Sequence, residues 1–292
     1  MSLILQTLAN GVVLGSIYAI MAFGLAIVYG VMRVVNFAHG VLAVLAAYIT
    51  FQLFHSLGVD PFVALLVTVP LFFGLGGAMY RALISKMGDL VGSSSMVLTF
   101  GLGISIEVLI ILVWTTSFRA ISPPYATQAV ALPGGVYLSY PRLTALGLSL
   151  GTLLALQFFL MRSRTGKAIR ALIQDREAAT YMGVDVERVS SVTFAISIAT
   201  VAIGGTLLGT IYAFYPAVHL DWIGRLFAIV VLGGMGSVTG AFLGAYLLAL
   251  AESLVSLLFG ITWSPLVGFL AIIFILLWRP RGLLGQAVWM RG

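Results

Sequence analysis

Long apolar stretches recur along this chain, at residues 10–32, 38–56, 61–80, 94–114, 143–161, 190–213, 222–259 and 263–278. Most are close to the ~20 residues a helix needs to cross the hydrocarbon of a bilayer. In lipid each backbone N–H and C=O must be satisfied within the protein, and helices do this segment by segment. A soluble core has no room for so much apolar surface: 61% of the 292 residues are hydrophobic and 8% are charged, where soluble domains carry about 25% charged residues. The fold class that follows is all-α, a polytopic transmembrane helical bundle. It forms a single membrane-embedded domain over residues 1–292.

The run 222–259 is too long for one span and contains Gly233, Gly234 and Gly236. A broken helix near 222–240 is expected, giving eight or nine spans. Segment 115–142 carries Pro123, Pro124, Pro133, Gly134, Gly135 and Pro141 and reads as a loop. Segment 162–188 holds 10 of the 24 charged residues, among them Arg162, Arg164, Lys167, Arg170, Arg176 and Arg188. An excess of Lys and Arg marks cytoplasmic loops. Counting spans from there places Arg33, Arg81, Lys86 and the C-terminal Arg279, Arg281 and Arg291 in the cytoplasm, with the N-terminus and loop 115–142 outside. The opening MSLILQTLANG lacks a basic n-region and a cleavage site and reads as mature sequence.

Little supports catalysis. No cysteine is present, which excludes thiolate metal sites and cysteine nucleophiles. His39, His55 and His219 are far apart, and no HExxH or P-loop spacing occurs. His55 and His219 are expected at outer ends of spans. Intramembrane polar groups are the remaining clue, because a charge at the bilayer centre is costly and usually faces a bundle interior. Glu107 lies well inside a span and reads either as a pathway group or as a buried helix–helix contact. Glu252 lies nearer a span end and reads as a contact. Asn36 and His39, in VVNFAHG, fall between two spans in a stretch too short for a loop and too polar for a span. Non-helical backbone at that depth is tolerated inside protein or along a water-filled cavity. The two readings are a pathway or gate element, and a tight turn in which Asn36 caps the next helix. In 162–188, Thr165 is expected to cap one short amphipathic helix that Gly183 ends. Its apolar face comprises Ile169, Leu172, Ile173, Ala179 and Met182.

Four motifs carry a resemblance: NFAHG at 36–40, EAATYMG at 177–183, GGMGSVTGAFLGA at 233–245 and RPRGLLG at 279–285. Together, and in this order, they resemble the LivH-type branched-chain amino acid permeases of ABC importers. EAATYMG matches the E-A-A-x-x-x-G loop of importer permeases, although VDVERVSSV follows it in place of an I-x-L-P tail. The resemblance implies a transport subunit of a bacterial inner membrane, not an enzyme. It implies a second, LivM-like permease, two cytoplasmic ATP-binding subunits that carry the ATP and Mg, and a periplasmic or lipid-anchored binding protein. No cofactor, metal or nucleic acid is expected on this chain. Arg170, Asp175, Glu177, Ala178, Ala179 and Gly183 would form the ATPase coupling element. Asn36, His39, Gly40 and Glu107 would be candidate translocation-pathway residues. The substrate class implied is branched-chain or related hydrophobic amino acids. A carboxylate such as Glu107 also suits urea or short amides, and relatives for sugars stay open. An ion-coupled carrier would need an acidic or histidine relay across several spans, for which only Glu107 and His39 are present.

Overall fold

A computed structural model of the chain describes residues 2–87 and 93–284. Arg291, and Gly285 at the end of the RPRGLLG motif, lie outside the described residues. Among those described, nine helices are long and apolar enough to cross a membrane. Helices α1 (Ser2–Met32), α2 (His39–Leu57), α3 (Leu65–Met79) and α4 (Ser93–Trp114) form the first half. A short antiparallel hairpin follows, β1 (Ala129–Leu132) with β2 (Val136–Ser139). Next come α5 (Tyr140–Arg162), two short helices α6 (Arg164–Gln174) and α7 (Arg176–Tyr181), and the long α8 (Val186–Ile211). The chain ends with α9 (His219–Gly233), α10 (Val238–Phe259) and α11 (Ser264–Trp278). The break expected in 222–259 is the turn 234–237, where Gly234 and Gly236 take φ of 103° and 83°. Only glycine enters that region without strain. Segment 115–142 is not wholly loop: it contains the hairpin and the first turn of α5.

Helices α1 and α8 are the core, with 89% of their apolar windows buried against the rest of the chain, against 17% for α4 and α11. Lipid tails are as apolar as leucine, so helices in a bilayer associate through close packing rather than the hydrophobic effect. Glycine supplies it. A Cβ on Gly205 of α8 would overlap the carbonyl of Ala43 on α2, and Cβ atoms on Gly233 and Gly240 would collide with each other's backbone across the α9–α10 turn. Thr50 and Thr206 share a hydroxyl hydrogen bond of 2.8 Å between α2 and α8.

The helices alternate between two ends. The basic end carries α6, α7, Arg33 and residues 279–284. The hairpin end carries β1, β2 and the start of α1, where Gln6 exchanges hydrogen bonds with the backbone of Tyr137 at 2.7 and 2.8 Å. Asp60 accepts the Tyr125 hydroxyl there. Burial and this carboxylate hold the Tyr125 phenol well above its ordinary pKa.

Gly205→Ala should destabilise the bundle by about 1–3 kcal/mol, the usual cost of overpacking. Gly77→Ala, whose Cβ would meet nothing within 4 Å, should be nearly neutral. Thermal melts of both variants in detergent check this, and equal melting temperatures would contradict the packing described.

Candidate functional site

Two segments turn back into the bundle. At the basic end α1 stops at Met32, and Arg33 reverses the chain with φ 57°. Residues 33–38 are not helical, yet Val34, Val35, Asn36 and Ala38 are buried. Helix α2 then starts deep inside: His39 Nε2 lies 3.0 Å from the carbonyl oxygen of Met21. Met21 precedes the end of α1 by eleven residues, roughly 16 Å along the axis. The returning backbone is satisfied by protein. Phe37 N–H donates to Thr99 Oγ1 on α4 at 3.0 Å, and that hydroxyl leans on the Ser95 carbonyl at 2.8 Å. Asn36 Oδ1 accepts the Ala38 N–H at 3.1 Å, a local turn that Asn side chains favour. Facing a carbonyl, His39 Nε2 must carry the ring proton. Asn36 Nδ2 and His39 Nδ1 are buried with no partner among the described residues.

At the hairpin end the mirror event occurs. Helix α8 stops at Ile211 and residues 212–218 turn inward. Phe214 exchanges both backbone hydrogen bonds with Arg119, each 2.8 Å. Its fully buried ring sits edge-on to Tyr48 and Phe51. A single turn, Pro216–Val218, leads into α9 at His219. Gly40 is where α2 and α9 meet: a Cβ there would stand 2.6 Å from the His219 carbonyl oxygen and 2.9 Å from Ile223 Cβ. Two helices therefore begin side by side inside the bundle, and a helix start carries partial positive charge. The carboxylate beside them is Glu107 of α4, whose Oε2 is 3.1 Å from His219 Nε2. The ring N–H is not aligned along that line, so this is a close approach of carboxyl and imidazole rather than a directed hydrogen bond.

Of the four candidate pathway residues, the structure gathers Gly40 and Glu107 around His219. His39 faces α1 instead, and Asn36 shapes the turn below it. Asn36, His39 and Gly40 are enclosed by the chain itself, whereas the Glu107 side chain is 22% exposed. His219 corrects the reading from sequence: it does not sit at an outer span end, because 212–218 carries it inward. The signal was that a histidine opens both helices, after FA in one case and AV in the other. Glu252 is 2% exposed, with Oε1 2.9 Å from Arg225 Nε and Oε2 accepting the Tyr18 hydroxyl at 3.2 Å. It ties α1, α9 and α10 together.

At the basic end, 163–185 forms two helices, not one. Ser163 caps α6 by accepting the Gly166 N–H at 2.8 Å, the role expected of Thr165. Asp175, with extended φ and ψ of −155° and 107°, breaks the segment and caps α7 through the Ala178 N–H at 3.0 Å. Ile169, Leu172 and Ala179 are buried, but Met182 is 85% exposed and so is not on the packed face. Gly183 ends α7 with φ 82°. The pair of helices is anchored to α1: Ile173 lies against Gly30, and Arg176 donates to the Val31 carbonyl at 3.3 Å. Arg170, Glu177, Ala178 and Tyr181 are exposed.

Residues 7–276 match a family described as the branched-chain amino acid transport system permease component. The high-affinity branched-chain amino acid transport system permease protein BraD of Pseudomonas aeruginosa is 30% identical over 97% of this chain and 96% of its own length. LivH of Salmonella typhimurium is also 30% identical, over the same shares. LivM of Escherichia coli is 34% identical over 43% of this chain and 29% of its own. No solved structure matches. The chain belongs to the branched-chain amino acid permease family and is a multi-pass helical membrane protein.

If Glu107 and His219 act as a pair, Glu107→Gln and His219→Gln should be non-additive. A coupling of about 0.5–3 kcal/mol is expected for residues in contact. A double-mutant cycle of detergent melts measures it, and strictly additive losses would dissolve the pair.

Proposed function

We propose that this family member is the membrane-spanning subunit of an ATP-driven importer, moving branched-chain amino acids delivered by an external binding protein. The observation that carries the reading is the α6–α7 element. Its packed face is locked to α5 and to the end of α1, while Glu177, Tyr181 and the Ala178 side are offered to solvent. A connector that only joined α5 to α8 would need neither two capped helices nor that exposed face. Such a surface suits a cleft on a cytoplasmic ATPase, with Arg170 and Glu177 supplying charged contacts and Gly183 a tight exit.

In this reading the basic end is cytoplasmic, in a bacterial inner membrane. Positive charge favours that orientation: Arg119 and Arg142 are the basic residues of the hairpin end, and Arg225 lies within α9, while the other described Lys and Arg sit at the basic end. The N-terminus is then outside and residues 279–284 are inside. Likeness to LivM supports a pair of permeases, this chain with a second one. Two ATP-binding subunits below would carry ATP and Mg. When they close, α6–α7 would be displaced and α1 with it. Helix α1 touches α2 directly, through Met21 and His39, and reaches α9 through Tyr18, Glu252 of α10 and Arg225, so its movement bears on both returning helices. Asn36, His39, Gly40 and Glu107 would then be parts of the gate, not a solute-lined wall, since three of the four are enclosed.

Purification from the native host in mild detergent, with mass spectrometry of what accompanies the chain, tests the assembly. P-loop ATPases in stoichiometric amount are expected, and recovery of the chain alone would contradict the reading. Glu177→Lys should leave membrane insertion intact and lower uptake roughly tenfold or more, the scale of losing a charge-assisted contact. ATP hydrolysis should persist. Normal uptake at normal expression would remove Glu177 from the coupling role.

A further inference from the structure

At the basic end the last turn of α1, the turn 234–237 and the segment after α11 close on one another. A Cβ on Gly236 would press on Gly30 at 3.3 Å, and one on Gly282 would overlap the Gly234 nitrogen. The Leu283 and Leu284 N–H groups donate to the Leu232 and Gly233 carbonyls at 2.8 and 3.0 Å, so residues 282–284 satisfy the end of α9. Arg33 follows Gly30 by three residues and Arg281 directly precedes Gly282. Both line one cavity of about 260 Å³, with Tyr29 and the apolar side chains of Ile173, Val231, Met235 and Leu276. Neither guanidinium makes a hydrogen bond or ion pair with the described residues, and the Tyr29 hydroxyl has no partner among them. Of the described residues that line the cavity, none is acidic. Two positive charges thus share one apolar-walled hollow without a counter-charge in it. Arg33 also holds φ 57°, where glycine is the default and arginine gains nothing from its backbone. What the residue brings to that position is its side chain.

The level of the cavity decides which anion fits. It sits where two membrane-crossing helices end, α1 at Met32 and α11 at Trp278. Trp278 is exposed, and tryptophan is enriched at headgroup depth. From Leu276 an exposed apolar stripe through Ile273 and Phe269 runs back along α11 at helical spacing. We propose that the cavity binds the headgroup of an anionic phospholipid. Arg33, Arg281 and the Tyr29 hydroxyl take the phosphodiester, and an acyl chain lies along Leu276, Ile273 and Phe269. A guanidinium fork matches phosphate oxygens in shape and charge, and basic pockets between membrane helices take such headgroups. At about 260 Å³, just under the ~300–1,000 Å³ of small-molecule sites, the cavity holds a headgroup and leaves the chains outside. Choline and ethanolamine headgroups also carry a phosphate, but they would bring a cation against two arginines. A glycerol headgroup has no such cation. The bound lipid would brace α1, α11 and, through Ile173, α6. The assignment needs only that the chain spans a membrane, and it holds whatever the chain transports.

Native mass spectrometry of the full chain in mild detergent tests it, with phosphatidylglycerol, phosphatidylethanolamine and phosphatidylcholine of matched chains as probes. Phosphatidylglycerol should form the first adduct at roughly tenfold lower concentration than either zwitterion, the scale of one charge-assisted hydrogen bond. Arg33→Gln and Arg281→Gln should each reduce that preference and together abolish it. Arg33→Lys with Arg281→Lys should keep part of it. An unchanged melting temperature in lipid-free detergent reports that a variant is folded; if the double Gln variant melts early, the single variants decide. Arg164→Gln with Lys167→Gln removes the same charge from exposed residues of the same end that do not line the cavity, and should leave the preference intact. Inorganic phosphate and glycerol phosphate in excess should not displace the lipid. Equal binding of the three lipids overturns the site. So does a preference that survives both Arg33→Gln and Arg281→Gln, or one that falls as far in the Arg164 and Lys167 control. Displacement by inorganic phosphate would make a soluble anion the occupant and overturn the lipid assignment as well.

Discussion

A polar backbone group inside lipid must find its partner in the protein, and the structure is organised around the two places where that demand is hardest to meet. Residues 33–38 and 212–218 bring non-helical chain into an apolar bundle. Thr99 meets the first through the Phe37 N–H, and the paired backbone bonds of Arg119 and Phe214 meet the second. Both anchors belong to α4 or the residues just after it. With the backbone secured at each end, α2 and α9 can begin side by side within the bundle, separated only by the missing Cβ of Gly40. Glu107, between Thr99 and Arg119 in sequence, is the carboxylate that faces these two helix starts through His219.

Helix α1 connects this centre to the rest. At one end it carries α6–α7 through Gly30 and Val31. Along its length it gives the Met21 carbonyl to His39, and beyond that the Tyr18 hydroxyl to Glu252. Its small residues let neighbours approach: a Cβ on Gly24 would press on Ser197 of α8, and one on Gly15 on Tyr246 of α10. A rigid rod in contact at every level transmits displacement where a loosely packed helix would absorb it. This is the physical content of coupling in the proposed importer: one element links the α6–α7 surface at the basic end to the hairpin end.

Hydropathy made the spans legible, because a charge in hydrocarbon is costly and the linkers show it. The break after Gly233 was legible as well, since glycines at 234 and 236 permit a turn that other residues resist. Chain returns were legible only in part. Asn36 and His39 betray the first by being too polar for their place, but YPAVH before α9 is apolar enough to pass for the edge of a span, which puts His219 at an outer span end when read from sequence. Pairings across the bundle leave no local mark: nothing near Glu252 announces Arg225, twenty-seven residues earlier in the chain, or Tyr18 on another helix. Caps were ambiguous for a similar reason. Ser163 and Thr165 both suit a helix start, and the geometry of the end of α5 decides between them. Asp175 reads as an ordinary helix residue until its extended backbone shows two helices in place of one.

In the proposed importer this chain is a passive conduit that works only when driven from the face that carries α6 and α7. The most direct test is accumulation of radiolabelled L-leucine in proteoliposomes holding the complex purified from its host, with ATP inside and the cognate binding protein outside. Uptake should occur with both present and stop when either is omitted. Leucine movement through vesicles holding this chain alone, without ATP, would contradict it and make the protein a carrier or channel in its own right.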